Sequence, residues 1–340
     1  MDNAMRKTFS RSLIIVAVAY SLSPSPVLGQ QKLAQTGMKF LNAGTSASVT
    51  AMGEAYTAVE SSSPAMFYNP AGMARMKPFI DVGLGSTQWI VDIKHHYASL
   101  AISPFRGDYG VIGFTAMAVD YGELDETIRW NNEEGYIDLG TFKPRATMIG
   151  IGYARALTDK FSVGGNVKYV SQNLGSGAIG FEGTKLIKKK NSAEVFAFDF
   201  GMVYRTGLKS LNFGVSVRNF SKEVRFEREG FQLPLIFRIG LAMNMMDLFD
   251  LEDRTHSFLL AVDATHPRDY PEQVNVGAEY VFMEMLAIRG GYMFNNDEYD
   301  LTAGVGVQQE IADLRLGVDY SYTPFGVFKQ VHRIMVRFSY

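Results

Sequence analysis

From about residue 78 to the C-terminus, apolar side chains recur at every second position. In the run 192–205, SAEVFAFDFGMVYR, Phe196, Phe198, Phe200, Met202 and Tyr204 share one parity, and Ala197, Asp199, Gly201, Val203 and Arg205 share the other. A helix returns to one face every three or four residues and a strand every two, so this spacing requires extended chain with one apolar face. The last segment repeats it, with Ile334, Val336, Phe338 and Tyr340 alternating against Arg333, Met335, Arg337 and Ser339. Turn signals cut the region into fourteen such segments: 78–91, 95–104, 109–121, 144–156, 160–173, 193–206, 209–219, 234–246, 255–264, 272–282, 285–294, 298–309, 312–322 and 329–340.

Which medium covers each face decides between a soluble sandwich and a membrane barrel. A soluble antiparallel sheet turns a face rich in Lys, Glu and Thr to water. Here the second face carries small residues with scattered single charges, such as Asn212, Gly214, Ser216 and Arg218, or Thr302, Gly304, Gly306 and Gln308. Small side chains suit the crowded interior of a closed sheet. The segments run to 10–14 residues, against ~5–6 for globular strands, which matches tilted membrane strands. Aromatics at segment ends, among them Tyr153, Tyr169, Tyr204, Tyr280, Tyr292 and Tyr320, fit interfacial girdles. Connections are tight at 157–159, at 206–207 and around Met283 and Glu284, and long at 122–143, 174–192 and 220–233. The reading is an all-β chain whose residues 77–340 form a fourteen-stranded antiparallel transmembrane β-barrel, with short turns at one end and long loops at the other.

The N-terminus carries an address. Arg6, Lys7 and Arg11 precede the apolar run 13–20, LIIVAVAY, and then SLSPSPVLGQQ. That order describes a secretory signal peptide over residues 1–30, with the mature chain starting near Gln30 or Gln31. The apolar run is too short to cross a bilayer as a helix, and no run of ~18 apolar residues follows it. The chain has no cysteine, which excludes disulfides, thiolate metal sites and a cysteine nucleophile. With 33 basic and 35 acidic residues, the net charge of -2 offers nothing for nucleic acid.

Residues 31–76 break the alternation. Ser63-Pro64 and Asn69-Pro70 each pair a capping residue with Pro at the first helical position, which predicts two very short helices, PAMF and PAGMARM. The segment is too small for a domain of its own, so it is expected to pack inside the barrel as a hatch, with Asn69, Pro70, Ala71 and Gly72 as its motif. The runs KFLNAGTSASVTAMGEAYTAV and AMFYNPAGMARM resemble the N-terminal signature of the PorV/PorQ family of outer-membrane proteins. Stretches 153–170, 198–220, 260–267 and 274–295 resemble the same family. The resemblance implies a FadL-like fourteen-stranded barrel with an N-terminal hatch in the outer membrane. It further implies a part in type IX protein secretion, receiving cargo and passing it to surface attachment proteins. The alternative it leaves is passive transport of long-chain fatty acids or other hydrophobic compounds. The closing strand with its terminal Tyr340 resembles the signal read by the barrel-assembly machinery, and any last barrel strand would share that pattern.

No catalytic site is legible. His95, His96, His256, His266 and His332 lack metal-ligand spacing, and the Gly-x-Gly steps complete no nucleotide-binding loop; no cofactor is expected. The lumen parity carries Lys168, Arg205, Arg218, Arg238, Arg289, Arg315, Arg333 and Arg337 against Asp199, Asp263, Glu279 and Asp319. One reading pairs these charges with each other and with hatch acids such as Glu54 and Glu60, because isolated charges in a tight lumen are costly. The sharper one has Arg205, Arg218, Arg238, Arg289 and Arg315 receive a carboxylate, from a fatty acid or a peptide C-terminus. The loop charges, acidic in 122–143 and basic at Lys185, Lys188, Lys189 and Lys190, read as solvated surface or as a docking face for a partner.

Overall fold

The computed structural model describes residues 36–183, 185–226, 229–249, 255–328 and 330–340; the signal-peptide expectation over 1–30 lies outside them. The strands are β1 Ile80–Gln88, β2 Lys94–Ile102, β3 Val111–Asp120, β4 Leu124–Arg129, β5 Tyr136–Phe142, β6 Arg145–Ala156, β7 Phe161–Glu182, β8 Lys185–Arg205, β9 Asn212–Ser221, β10 Val224–Phe226, β11 Glu229–Phe231, β12 Ile236–Asn244, β13 His256–Pro267, β14 Gln273–Phe282, β15 Leu286–Phe294, β16 Leu301–Ile311, β17 Leu314–Pro324 and β18 Gln330–Ser339. Fourteen of them form a closed antiparallel barrel. β1 closes the ring by pairing with β2 on one side and β18 on the other, Leu84 opposite Ala98 and Val336. Each of the fourteen segments read from the alternation coincides with one barrel strand.

Accessibility separates the two faces as parity requires. Phe196 and Ile334 are 58% and 51% exposed on the outside, whereas the interleaved Asp199 and Arg333 are 1% exposed inside. Lipid, the one medium that rewards a continuous apolar exterior of this kind, covers the outer face.

The long connections are not irregular loops. β4–β5 and β10–β11 are separate two-stranded hairpins, and β7–β8 runs on beyond the barrel as one hairpin through most of 174–192. Charged residues break the alternation there. The backbone of a long excursion still needs hydrogen-bond partners, and pairing the two arms supplies them. Trp130 packs edge-on against Phe181 at 5.2 Å and Lys188 pairs with Glu126 at 2.8 Å, which braces the hairpins against each other.

Inside lies the hatch, with 3-10 turns at Lys39–Asn42, Ser63–Phe67 and Pro70–Met73 and a five-residue α-helix at Ala47–Ala51. Both Pro-initiated helices are present as 3-10 turns. Asn69 caps the second, its side chain accepting from the Ala71 amide at 3.1 Å. Ser63 does not cap the first. Its amide donates to Asp81 of β1 and its hydroxyl meets Ser99 of β2, so the wall takes the group that capping would have used.

The lumen glycines have a packing reason. Gly277 and Gly291 face each other across β14–β15, and a Cβ on Gly277 would stand 2.3 Å from the Met52 carbonyl oxygen, one on Gly291 2.1 Å from the Gly53 amide. The pair forms a flat seat on which the hatch main chain rests directly against the wall. A side chain there must push backbone, which costs ~1–3 kcal/mol or more. Gly277→Leu is therefore expected to unseat the hatch: proteinase K should cut within 40–76 while the unboiled protein still migrates as a compact barrel. A hatch as protected as in the wild type would refute the seating argument.

Candidate functional site

The hatch is fastened through its polar groups. Asn69 Nδ2 donates to the Thr57 carbonyl at 2.6 Å and to that of Met202 in β8 at 3.1 Å, tying the Asn69-Pro70 turn to the hatch and to the wall. The backbone of Pro70 and Ala71 lies on Gly164 of β7, and the Gly72 carbonyl accepts from the Ser61 amide at 2.9 Å. Asp263 of β13 accepts from the Tyr56 and Thr57 amides at 2.9 and 3.0 Å and from the Thr57 hydroxyl at 2.7 Å. Asn275 of β14 donates to the Gly53 carbonyl at 2.7 Å. These wall latches were legible only as polar residues on the lumen parity; their hatch partners are more than 200 residues away in sequence.

The five arginines singled out in the sequence do not converge. Arg205 holds both oxygens of Glu60, with Nε 2.8 Å from Oε1. Arg238 donates to the Glu54 carboxylate at 2.7 Å and to its carbonyl at 3.0 Å. Arg289 bridges Glu279 at 2.5 Å and Asp319 at 2.6 Å, and exposed Arg315 pairs with Glu310 at 2.8 Å. Arg218 differs, since no carboxylate among the described residues pairs with it. Its Nη2 lies 3.4 Å from the Leu41 carbonyl and its guanidinium stands over the ring of Tyr68 at 5.4 Å. That phenol accepts from the Thr45 and Ser46 amides at 3.1 and 3.2 Å, and burial pushes its pKa up, so it stays neutral. Next to Arg218, Asn219 forms a bulge opposite Asp199 with φ 60, and Asp199 accepts from its amide at 2.8 Å and from Lys168 at 2.7 Å.

Open space remains at the two ends of the barrel. At the loop end a cavity of about 470 Å³ is lined by Trp89, His95, Tyr121, Tyr270, Tyr299 and Phe325 above Phe40 of the hatch. Trp89 and Tyr299 meet Phe325 at 5.1 and 4.8 Å, and the Arg333 guanidinium lies 5.3 Å from the Trp89 ring. A smaller space of about 80 Å³ shares Asn42, Tyr270, Glu298 and Tyr299 with it and reaches Arg238 and Glu54. At the turn end a cavity of about 370 Å³ includes Glu60, Arg75, Arg205, Arg315 and Arg337. Chain periodicity fixes which face these residues occupy, but only closure of the ring brings β1, β2 and β17–β18 loop residues together as one aromatic chamber.

Burial separates the two hatch ion pairs in strength. The side chains of Arg238 and Glu54 are 5% and 6% exposed, those of Arg205 and Glu60 43% and 21%. Removing one partner of a buried pair strands a charge and costs ~3–5 kcal/mol, whereas an exposed pair contributes ~0–1 kcal/mol. Glu54→Ala should thus lower the denaturant midpoint for hatch release strongly and Glu60→Ala scarcely, as followed by the fluorescence of Trp89 at the hatch boundary. Equal effects would show that burial does not set the strength of these latches.

The fold has counterparts among known proteins. The toluene transporter TodX of Pseudomonas putida superposes with a TM-score of 0.56 at 12% identity, covering 91% of this chain and 98% of that one. The Ralstonia pickettii toluene transporter TbuX gives 0.55 at 13% identity over 87% and 97%, and the monoaromatic hydrocarbon channel CymD 0.52 at 13% over 87% and 96%. At such identities the likeness is one of fold: the FadL-like barrel. No curated protein sequence matches the chain. The family model described as type IX secretion system membrane protein PorP/SprF matches residues 138–338, more than half of the chain. That match takes in the stretches 153–170, 198–220, 260–267 and 274–295, whose resemblance pointed to PorV/PorQ, and assigns them to PorP/SprF. A barrel with this exterior belongs in an outer membrane, and the chain is a member of the PorP/SprF family of type IX secretion system membrane proteins.

Proposed function

We propose that this chain serves type IX secretion as a stoppered barrel that receives or anchors cargo at its loop end, in the manner implied by the PorV/PorQ resemblance, and does not thread protein through its lumen. The observation that carries this reading is the hatch, which sits in the middle of the lumen, latched by Arg238–Glu54 and Asp263–Thr57 and seated on wall glycines. The braced hairpins β4–β5 and β7–β8 offer the loop-end surface such a task needs, with Ile179 64% exposed and Tyr136 and Trp130 close to half exposed. Outer-membrane lipid, secreted cargo and attachment proteins are the partners in this reading, with the barrel-assembly machinery acting on the Tyr340 strand during biogenesis. Deleting the gene should leave proteins with C-terminal sorting domains in the periplasm, and a copy lacking residues 175–190 should fail to restore them to the surface. Unchanged surface proteomes in the deletion strain would defeat the secretion reading.

The aromatic chamber favours a second reading, passive uptake of small hydrophobic compounds; TodX and TbuX, which share the fold, are toluene transporters. Trp89, Tyr299 and Phe325 form an apolar box suited to a ring or an acyl chain. On this reading Trp89→Ala with Phe325→Ala lowers uptake of radiolabelled toluene or oleate at least fivefold. Uptake equal to that of the deletion strain in every case counts against it.

A further inference from the structure

At the turn end two depressions, of about 370 and 530 Å³, adjoin each other. Both are lined by Lys77, Pro78, Gln308, Arg315 and Ser339, so they form one cleft at the mouth of the barrel. Its charges are segregated. Arg75, Arg205 and Arg337 line one half together with Glu60 and Asp81, and Glu284, Glu310 and Asp313 line the other, with Lys77 and Arg315 at the junction.

The basic half leaves donor groups of its cations unused, although Glu60 and the buried Asp81 also line it. Arg205 and Arg75 both turn to the single carboxylate of Glu60, with Nε–Oε1 distances of 2.8 and 3.5 Å. Arg337 uses only Nε, 3.2 Å from Asp319, whose other oxygen is taken by Arg289 at 2.6 Å. The two terminal nitrogens of Arg337 have no partner among the described residues, and neither has the exposed ammonium of Lys77. In the acidic half Glu310 is matched by Arg315 at 2.8 Å, while the carboxylates of Glu284 and Asp313 pair with nothing among the described residues. The unpaired ammonium of Lys77 at the junction and the half-used guanidinium of Arg337 on one side, set against the unmatched carboxylates on the other, attract a ligand that carries both charges and repel either charge placed at the wrong end.

We propose that this cleft docks an extended peptide segment of a periplasmic partner, one bearing a carboxylate for Lys77 and Arg337 and, some residues away, a cationic side chain for Glu284 and Asp313. The guanidinium fork of Arg337 suits a carboxylate in two-point contact. Outer-membrane barrels keep their short turns on the periplasmic side, which sets the compartment of the partner. The proposal depends on that orientation and not on the secretion role, so peptide binding in vitro and surface proteomics in vivo fail independently.

The test uses the full chain in a non-ionic maltoside and fluorescence anisotropy. The dipolar probe is a centrally labelled octapeptide with two lysines at its N-terminal end and two aspartates at its C-terminal end. The half-charged controls replace either pair by serine. The dipolar probe should bind at least tenfold more tightly than either control. Lys77→Glu and Asp313→Lys, both at exposed positions without partners among the described residues, should each weaken it at least tenfold while heat-modifiable migration stays normal, and Lys77→Arg should retain it. Absence of binding, equal binding of an acid-only control, or indifference to both charge reversals would overturn the proposal.

Discussion

Hydrocarbon offers no hydrogen-bond partner to a peptide group, and the whole architecture follows from that. Each strand must satisfy its amides and carbonyls against a neighbour, and the last must return to the first, because an open edge in lipid leaves a row of unpaired groups costing several kcal/mol each. β1 meets both β2 and β18, so no edge remains. Closure in turn creates an interior, and at fourteen strands that interior is wider than side chains alone can fill.

The hatch answers the second problem with the same economy of polar groups. It is too short to have a core, so it borrows one: Met52, Met66 and Met73 are fully buried between it and the wall. Its unpaired backbone groups are met by wall side chains, Asp263, Asn275 and Thr302, and its main chain reaches the wall where Gly277 and Gly291 remove the intervening side chains. The lumen charges fall into place as part of this fastening. Four of the five arginines that looked like anion receptors are matched by acids of the chain itself, two of them from the hatch, so an incoming anion would have to displace an internal carboxylate. What remains open is at the two mouths, aromatic at the loop end and charge-segregated at the turn end. A barrel stoppered in the middle and chemically distinct at its ends is suited to work at each surface separately.

Fold and site were legible to different depths because they rest on interactions of different range. Alternation such as Phe196, Phe198 and Phe200 against Ala197, Asp199 and Gly201 reports a local property, the pleat of one strand and the media on its two sides. It therefore located all fourteen barrel strands. The hairpin arms above the barrel lost that signal, since with water on both sides nothing compels Lys185, Lys188 and Lys190 to alternate with apolar residues. Likewise Ser63 carried the local signature of a helix cap, and a wall serine, Ser99, claimed its hydroxyl instead.

Parity by itself assigned the barrel strands' residues to lipid or lumen, except past the bulge at Asn219, and with it the closed transmembrane sheet, because a one-residue shift would turn each side chain to the wrong medium. The two proline-marked turns of the hatch were equally local. Tertiary structure alone decided that Glu54 meets Arg238, that Arg218 meets the ring of Tyr68 and no acid among the described residues, and that Trp89 joins Phe325 to roof a chamber. Those contacts join residues up to more than 200 positions apart, and their distances exist only once the ring has closed and the hatch has been set at one height within it.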